Sequence, residues 1–343
     1  MAELNMTSME YLIRILVSLA PVIVFLSFLV VLDSYKLLNL RTVLGAISIG
    51  VLAALSAALV NDWVMQKFDI QFLFYTKYIA PWIEEMLKGV FIVYLIKSGR
   101  IGFMVDAAIA GIAIGAGFGI IENIYYLQYS TDTNLSVWII RGFGTAVMHG
   151  GTSATFSIIS KVLSDRKSSV NISVFLMGFI IAVLLHSFYN QFFFSPVIYT
   201  VILLVTLPIV LNQVFTRSEK SLQEWLGVGF DTDMELLELI KKGKISDSRV
   251  GKYLQPIKEK FSPEVVFDMI CYLRIHLELS IRAKGVLMMR EIGHSMEPDP
   301  EIKDKFKELR YLEKNIGKTA QLAISPFLHK TRRDLWQLHV LGN

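Results

Sequence analysis

Seven apolar stretches dominate the first two-thirds of this chain, near residues 11–32, 41–61, 72–96, 103–127, 137–160, 172–194 and 195–216. As helices rising about 1.5 Å per residue, each is long enough to cross about 30 Å of hydrocarbon. No other feature constrains the fold as strongly, because backbone in lipid must satisfy its own hydrogen bonds. Charge follows the same division: 12 Lys/Arg and 11 Asp/Glu through Thr216, then 22 and 19 from Arg217 onward. The overall 19% of charged residues and mean hydropathy of +0.50 therefore average two unlike parts. The expected fold class is all-α: a polytopic helical membrane protein of about seven transmembrane helices in 1–216, with a soluble helical cytoplasmic domain in 217–343. A disordered chain, a collagen-like chain and a single soluble domain are excluded. The net charge of +4 gives no reason to expect nucleic acid as a partner. Cys271 is the one cysteine, which excludes an intrachain disulfide framework and any multi-cysteine zinc or redox site.

The first stretch has an acidic leader, Glu3 and Glu10, with Arg14 one turn inside, and its apolar core is too long for a signal peptide. It reads as a retained helix. Lys36 and Arg41 follow the first stretch, Lys97 and Arg100 the third, and Lys161, Arg166 and Lys167 the fifth; Lys67 and Lys77 lie in the alternate loops. Positive residues mark the cytoplasmic side, so the expected topology is a multi-pass cell-membrane protein with its N-terminus outside and its C-terminal domain in the cytoplasm. That domain reads as a run of amphipathic helices: one from about Asp231, one capped by Ser262 with Pro263 in its first turn, and one from Asp299 to Gly317 with a further break at Pro326. No catalytic spacing is visible in it, and His276, His294, His329 and His339 are scattered.

The chemistry lies in ionisable residues inside the stretches, where each charge costs at least about 2.5–3.5 kcal/mol at a helix centre. The third contains Pro81-Trp82-Ile83-Glu84-Glu85-Met86-Leu87-Lys88. Pro81 should break that span and place the carboxylates in the first turns of its second half, near free N–H groups. An ion pair with Lys88 accounts for one carboxylate and leaves the other. The fourth carries Gly111, Gly115 and Gly119, a ridge for close helix packing, then Glu122 and Asn123. The fifth carries His149, and the sixth places His186 and Asn190 on one face at i, i+4. Three carboxylates and two imidazoles on four successive spans suit a divalent metal of the zinc type with a glutamate as base on bound water. A metal-free glutamate/histidine site that activates water is equally consistent with the spacing.

Glu84-Glu85-x-x-Lys88, Phe118-x-x-x-Glu122-Asn123, His149 and His186-x-x-x-Asn190, in that order, resemble the PrsW family of intramembrane proteases. More distantly they resemble the CAAX prenyl endopeptidases and Abi proteins. In the CAAX enzymes the second motif ends in histidine where this chain has Glu122, and an arginine is common where it has Lys88; both departures favour PrsW. The motifs cover about residues 75–195. The resemblance implies peptide-bond hydrolysis in the membrane and a single-span, membrane-anchored protein substrate, anti-sigma-factor-like by analogy.

On this reading Glu84 is the general base, Glu85 orients it or joins the metal, and Asn190 is the oxyanion or peptide-positioning donor. Glu122, His149 and His186 are the metal ligands, with zinc the first expectation. Two other classes compete. A proton- or ion-coupled transporter would use the same residues as a relay, but no internal repeat is visible. A receptor leaves the polar set unexplained. Beyond substrate and lipid bilayer no partner is indicated, and nothing sets the oligomeric state.

Overall fold

The computed structural model of the protein describes residues 40–129, 135–165, 171–191, 195–256, 258–291 and 299–325, with isolated positions elsewhere. Almost all of the first apolar stretch lies outside the described residues, as do Lys36, Arg166, Lys167 and Pro326. All regular structure among the described residues is helical, with no strand among them. Two compact units are present, Met1–Arg217 and Ser218–Asn343.

In the first unit α1 is Leu40–Phe68, α2 Ala80–Lys97, α3 Met104–Tyr129, α4 Leu135–Asp165 and α5 Ser173–Tyr189; α6, Pro196–Lys241, begins here. These helices fall on six of the seven predicted stretches. Among the described residues, three helices are long and apolar enough to cross a membrane, Leu40–Phe68, Met104–Tyr126 and Val197–Lys241; Ser173–Tyr189 is a shorter apolar one. The third stretch is not one helix. A short turn, Phe72–Phe74, leads into a π-helical turn, Tyr75–Ile79, before α2 starts with Pro81 in its first turn.

The bundle is organised around α3, which packs against α1 and α4. Glycine makes both approaches possible. A Cβ on Gly115 would sit 2.1 Å from the His149 carbonyl oxygen, and one on Gly111 2.6 Å from that of Ser153, so the predicted glycine ridge lies against α4. On the opposite side, a Cβ on Gly117 would sit 2.1 Å from the Ile47 carbonyl oxygen and one on Gly50 1.9 Å from that of Ile114. Backbones this close gain dispersion contacts where lipid offers no hydrophobic drive. The outer sides of α1 and α5 present exposed Leu44, Leu52, Leu59, Leu176 and Leu184, as lipid-facing surfaces should.

The separate amphipathic helix expected from Asp231 is not separate: α6 runs unbroken from the last apolar stretch to Lys241. Nothing between Arg217 and Phe230 stops a helix, and Pro208 inside the apolar part is tolerated, as prolines are in membrane helices. It ends where Gly243 takes φ +68°, with Gly243 N–H donating to Ile240 and Lys244 N–H to Leu239. In the second unit α7 is Arg249–Leu254, α8 Pro263–Glu291 and α9 Pro300–Ile324. Ser262 caps α8 as its sequence predicts, Asp299 caps α9, and Gly317, at φ +70°, breaks α9 where the third helix was expected to end. Leu273, Leu277, Leu312, Ile316 and Ala320 lie in its core. Inside this unit Ser280 and Lys284 both donate to buried Asp233, at 2.6 and 2.7 Å.

Candidate metal centre

The predicted residues arrive from four helices: Glu84, Glu85 and Lys88 from α2, Glu122 from α3, His149 from α4, and His186 from α5, which ends just before Asn190. Glu85, Lys88 and His149 are fully buried and His186 nearly so. Lys88 resolves the glutamate pair. Its Nζ donates to Glu85 Oε1 at 2.6 Å, so the ion pair takes Glu85 and leaves Glu84. Glu85 Oε1 also accepts from Thr152 Oγ1 at 3.1 Å and from His186 Nδ1 at 2.8 Å, while its Oε2 has no hydrogen-bond partner.

These contacts assign the protons. An ionised carboxylate only accepts, so His186 carries its proton on Nδ1 and keeps a lone pair on Nε2, which lies 3.7 Å from Glu84 Oε2. An ammonium only donates, so Lys88 Nζ, 3.1 Å from His149 Nδ1, places that ring's proton on Nε2, where it meets Glu122 Oε2. Phe118 packs beneath, its ring centroid 4.6 Å from that of His149 and 4.9 Å from Lys88 Nζ. The two histidine rings stand nearly perpendicular, 4.9 Å apart.

Three donor atoms, one each from Glu84, His149 and His186, lie within 4.8 Å of one another. This differs from the expected ligand set, in which Glu122 took the place of Glu84; Glu122 instead sits against His149. The donor chemistry fits a divalent ion of the zinc type, one carboxylate and two imidazoles. His186 is the best-prepared ligand, its free Nε2 set by the Nδ1–H bond to Glu85, the carboxylate–histidine arrangement that metal sites use. His149 is the least prepared, because offering Nε2 moves its proton to Nδ1, opposite the Lys88 ammonium.

Asn190, expected as an oxyanion donor, has its amide Nδ2 on the Thr76 carbonyl at 2.9 Å. The π-helical turn explains that bond. Ala80 N–H donates to Tyr75 rather than to Thr76, and the next residue in that register, Pro81, has no N–H to give. The Thr76 carbonyl is thus left over, and the Asn190 side chain takes it. Asn61 on α1 is a site neighbour that the motifs did not indicate. Its Nδ2 donates to Glu84 Oε1 at 3.2 Å, and Tyr75 Oη donates to its Oδ1 at 2.7 Å. The one available signal was a polar pair, Asn61-Asp62, closing an otherwise apolar stretch.

The fold and site together define a class: a helical membrane protein with a carboxylate–imidazole centre buried among its helices. The PrsW family of intramembrane metalloproteases matches residues 34–213, more than half of the 343-residue chain and all of the site, and the chain belongs to that family. It is accordingly a membrane protease of the metalloprotease kind. No curated protein and no solved structure matches it.

Proposed function

We propose that this protein hydrolyses a peptide bond of a single-span membrane protein, using water activated at a divalent metal, zinc first among candidates. The observation that carries this is the convergence of Glu84, His149 and His186 within 4.8 Å, with His186 held by Glu85. Those three residues would hold the ion, which supplies Lewis-acid polarisation and a water acidic enough to lose its proton near neutral pH. Glu122 is then the proton acceptor: its side chain is 28% exposed, the most open of the three carboxylates, and it lies beside His149. Glu85, fully enclosed and held by three donors, balances Lys88 and sets the tautomer of His186. Asn190 can serve the substrate carbonyl only by leaving Thr76.

Around this centre we place seven spans, the N-terminus outside and the polar C-terminal unit in the cytoplasm, where it modulates or assembles rather than cleaves. The helices on six of the seven apolar stretches and the distribution of Lys and Arg support that arrangement. The kinship with CAAX endopeptidases and Abi proteins rests on the order of the motifs. An anti-sigma-factor-like substrate is an analogy from the family.

Metal analysis of the purified protein beside Glu84→Gln tests the reading. About one zinc per chain in the wild type, its loss in the variant, and chelator-sensitive cleavage of a single-span reporter are expected. Cleavage that survives complete metal removal would overturn it and leave water activation by the carboxylates and histidines alone.

A further inference from the structure

Glu84 lies on a helix that begins just beyond a π-helical turn, and a carboxylate so placed needs something to hold its rotamer. Two residues outside every recognised motif do this. Asn61 comes from α1 and Tyr75, 1% exposed, from the π-helical turn itself. With Glu84 ionised, as a metal ligand must be, the polarity of their chain has one solution. Ionised Glu84 only accepts, so Asn61 must turn its Nδ2 toward it; Asn61 Oδ1 then faces Tyr75, whose hydroxyl must donate. Tyr75 therefore fixes the orientation of the Asn61 amide, and the amide fixes Oε1 of Glu84. The other oxygen, Oε2, is the one turned toward His186 Nε2.

We propose that Asn61 and Tyr75 are positioning residues for Glu84, a two-step hydrogen-bond relay that presents its Oε2 to the metal. The proposal rests on Glu84 being a ligand. It explains why the wide turn falls where it does: Tyr75 opens that turn, and its hydroxyl reaches Asn61 on the neighbouring helix. Partners of metal ligands are typically worth about 10–100-fold in affinity or activity, and the relay should fall in that range.

The test is zinc titration of the full-length protein in lipid nanodiscs against a fluorescent zinc chelator, comparing wild type, Asn61→Leu, Tyr75→Phe and Glu84→Gln. Asn61→Leu keeps the side-chain volume and should weaken zinc binding by about 10–100-fold. Tyr75→Phe removes one oxygen from an otherwise unchanged ring and should weaken it in the same direction by less. With reporter substrate at sub-saturating zinc, turnover should fall in both while KM stays near the wild-type value, because neither residue is asked to touch the peptide. Should Asn61→Leu fail to fold, Tyr75→Phe decides. If Tyr75→Phe and a folded Asn61→Leu bind zinc like the wild type while Glu84→Gln has lost it, the relay is refuted and the metal site stands. If Glu84→Gln binds zinc as the wild type does, the ligand assignment fails and the relay falls with it.

Discussion

Lys88→Met removes the ammonium enclosed in the site while keeping an unbranched apolar stem. The ammonium lies 2.6 Å from Glu85 Oε1, 3.1 Å from His149 Nδ1 and 4.9 Å from the centre of the Phe118 ring. Neither Lys88 nor Glu85 has any solvent exposure. Breaking a buried pair from one side costs about 3–5 kcal/mol, because the remaining charge keeps its desolvation penalty. Glu85 would still accept from Thr152 and His186, which places the expected loss near the lower end, about 3 kcal/mol. Withdrawing the cation from Phe118 adds about 1 kcal/mol. The sum, about 4 kcal/mol, is a large share of the 5–15 kcal/mol typical of a folded domain. Reversible unfolding in mixed micelles should show it directly. Adding Glu85→Gln removes the stranded charge, so the double variant should be more stable than Lys88→Met alone, with a coupling of about 1–3 kcal/mol. A single variant within about 0.5 kcal/mol of wild type, or purely additive effects, would refute the buried-pair argument.

Glu122→Gln should lower turnover by about 10²–10⁴-fold while zinc content stays near one per chain, separating proton acceptor from ligand; loss of zinc in that variant would return Glu122 to the ligand set. Gly115→Ala should force α3 from α4 at His149 and cost about 1–3 kcal/mol with most of the activity, read from unfolding and reporter cleavage. In a Cys271→Ser background, cysteines at Asn134 and Ser221 should label from opposite sides of intact cells; labelling of both from one side would contradict seven spans.

Much of this was legible because apolar length and glycine spacing speak directly about lipid. Gly111, Gly115 and Gly119 marked a close helix contact by their period alone, though not its partner α4, and Lys88 at i+3 and i+4 marked an ion pair with one glutamate without saying which. The convergence of Glu84 with His149 and His186 was not legible. It depends on the rotation of α2, and the π-helical turn inserts an extra residue per turn just upstream, shifting the phase that an ideal helix would assign. Pro81 announced a disturbance but not its kind. Asn61 was invisible for a different reason: it meets Glu84 across 23 positions, and a single amide at the end of an apolar stretch has no spacing to betray it. The continuity of α6 was hidden by the change of composition at Arg217, which signals a change of surroundings and not an end of helix.

The bond between Asn190 and the Thr76 carbonyl has a consequence for biosynthesis. Thr76 is translated 114 positions before the side chain that satisfies it. Until then the Thr76 carbonyl has no helical partner, because Pro81 cannot supply one, and an unmet carbonyl in apolar surroundings costs several kcal/mol. The turn should therefore stay near water or in the translocation machinery until α5 arrives with Asn190. His186 arrives on that same helix. The step that seals the polar defect is thus the step that brings His186 to Glu84 and His149, so the cluster cannot assemble before the bundle closes.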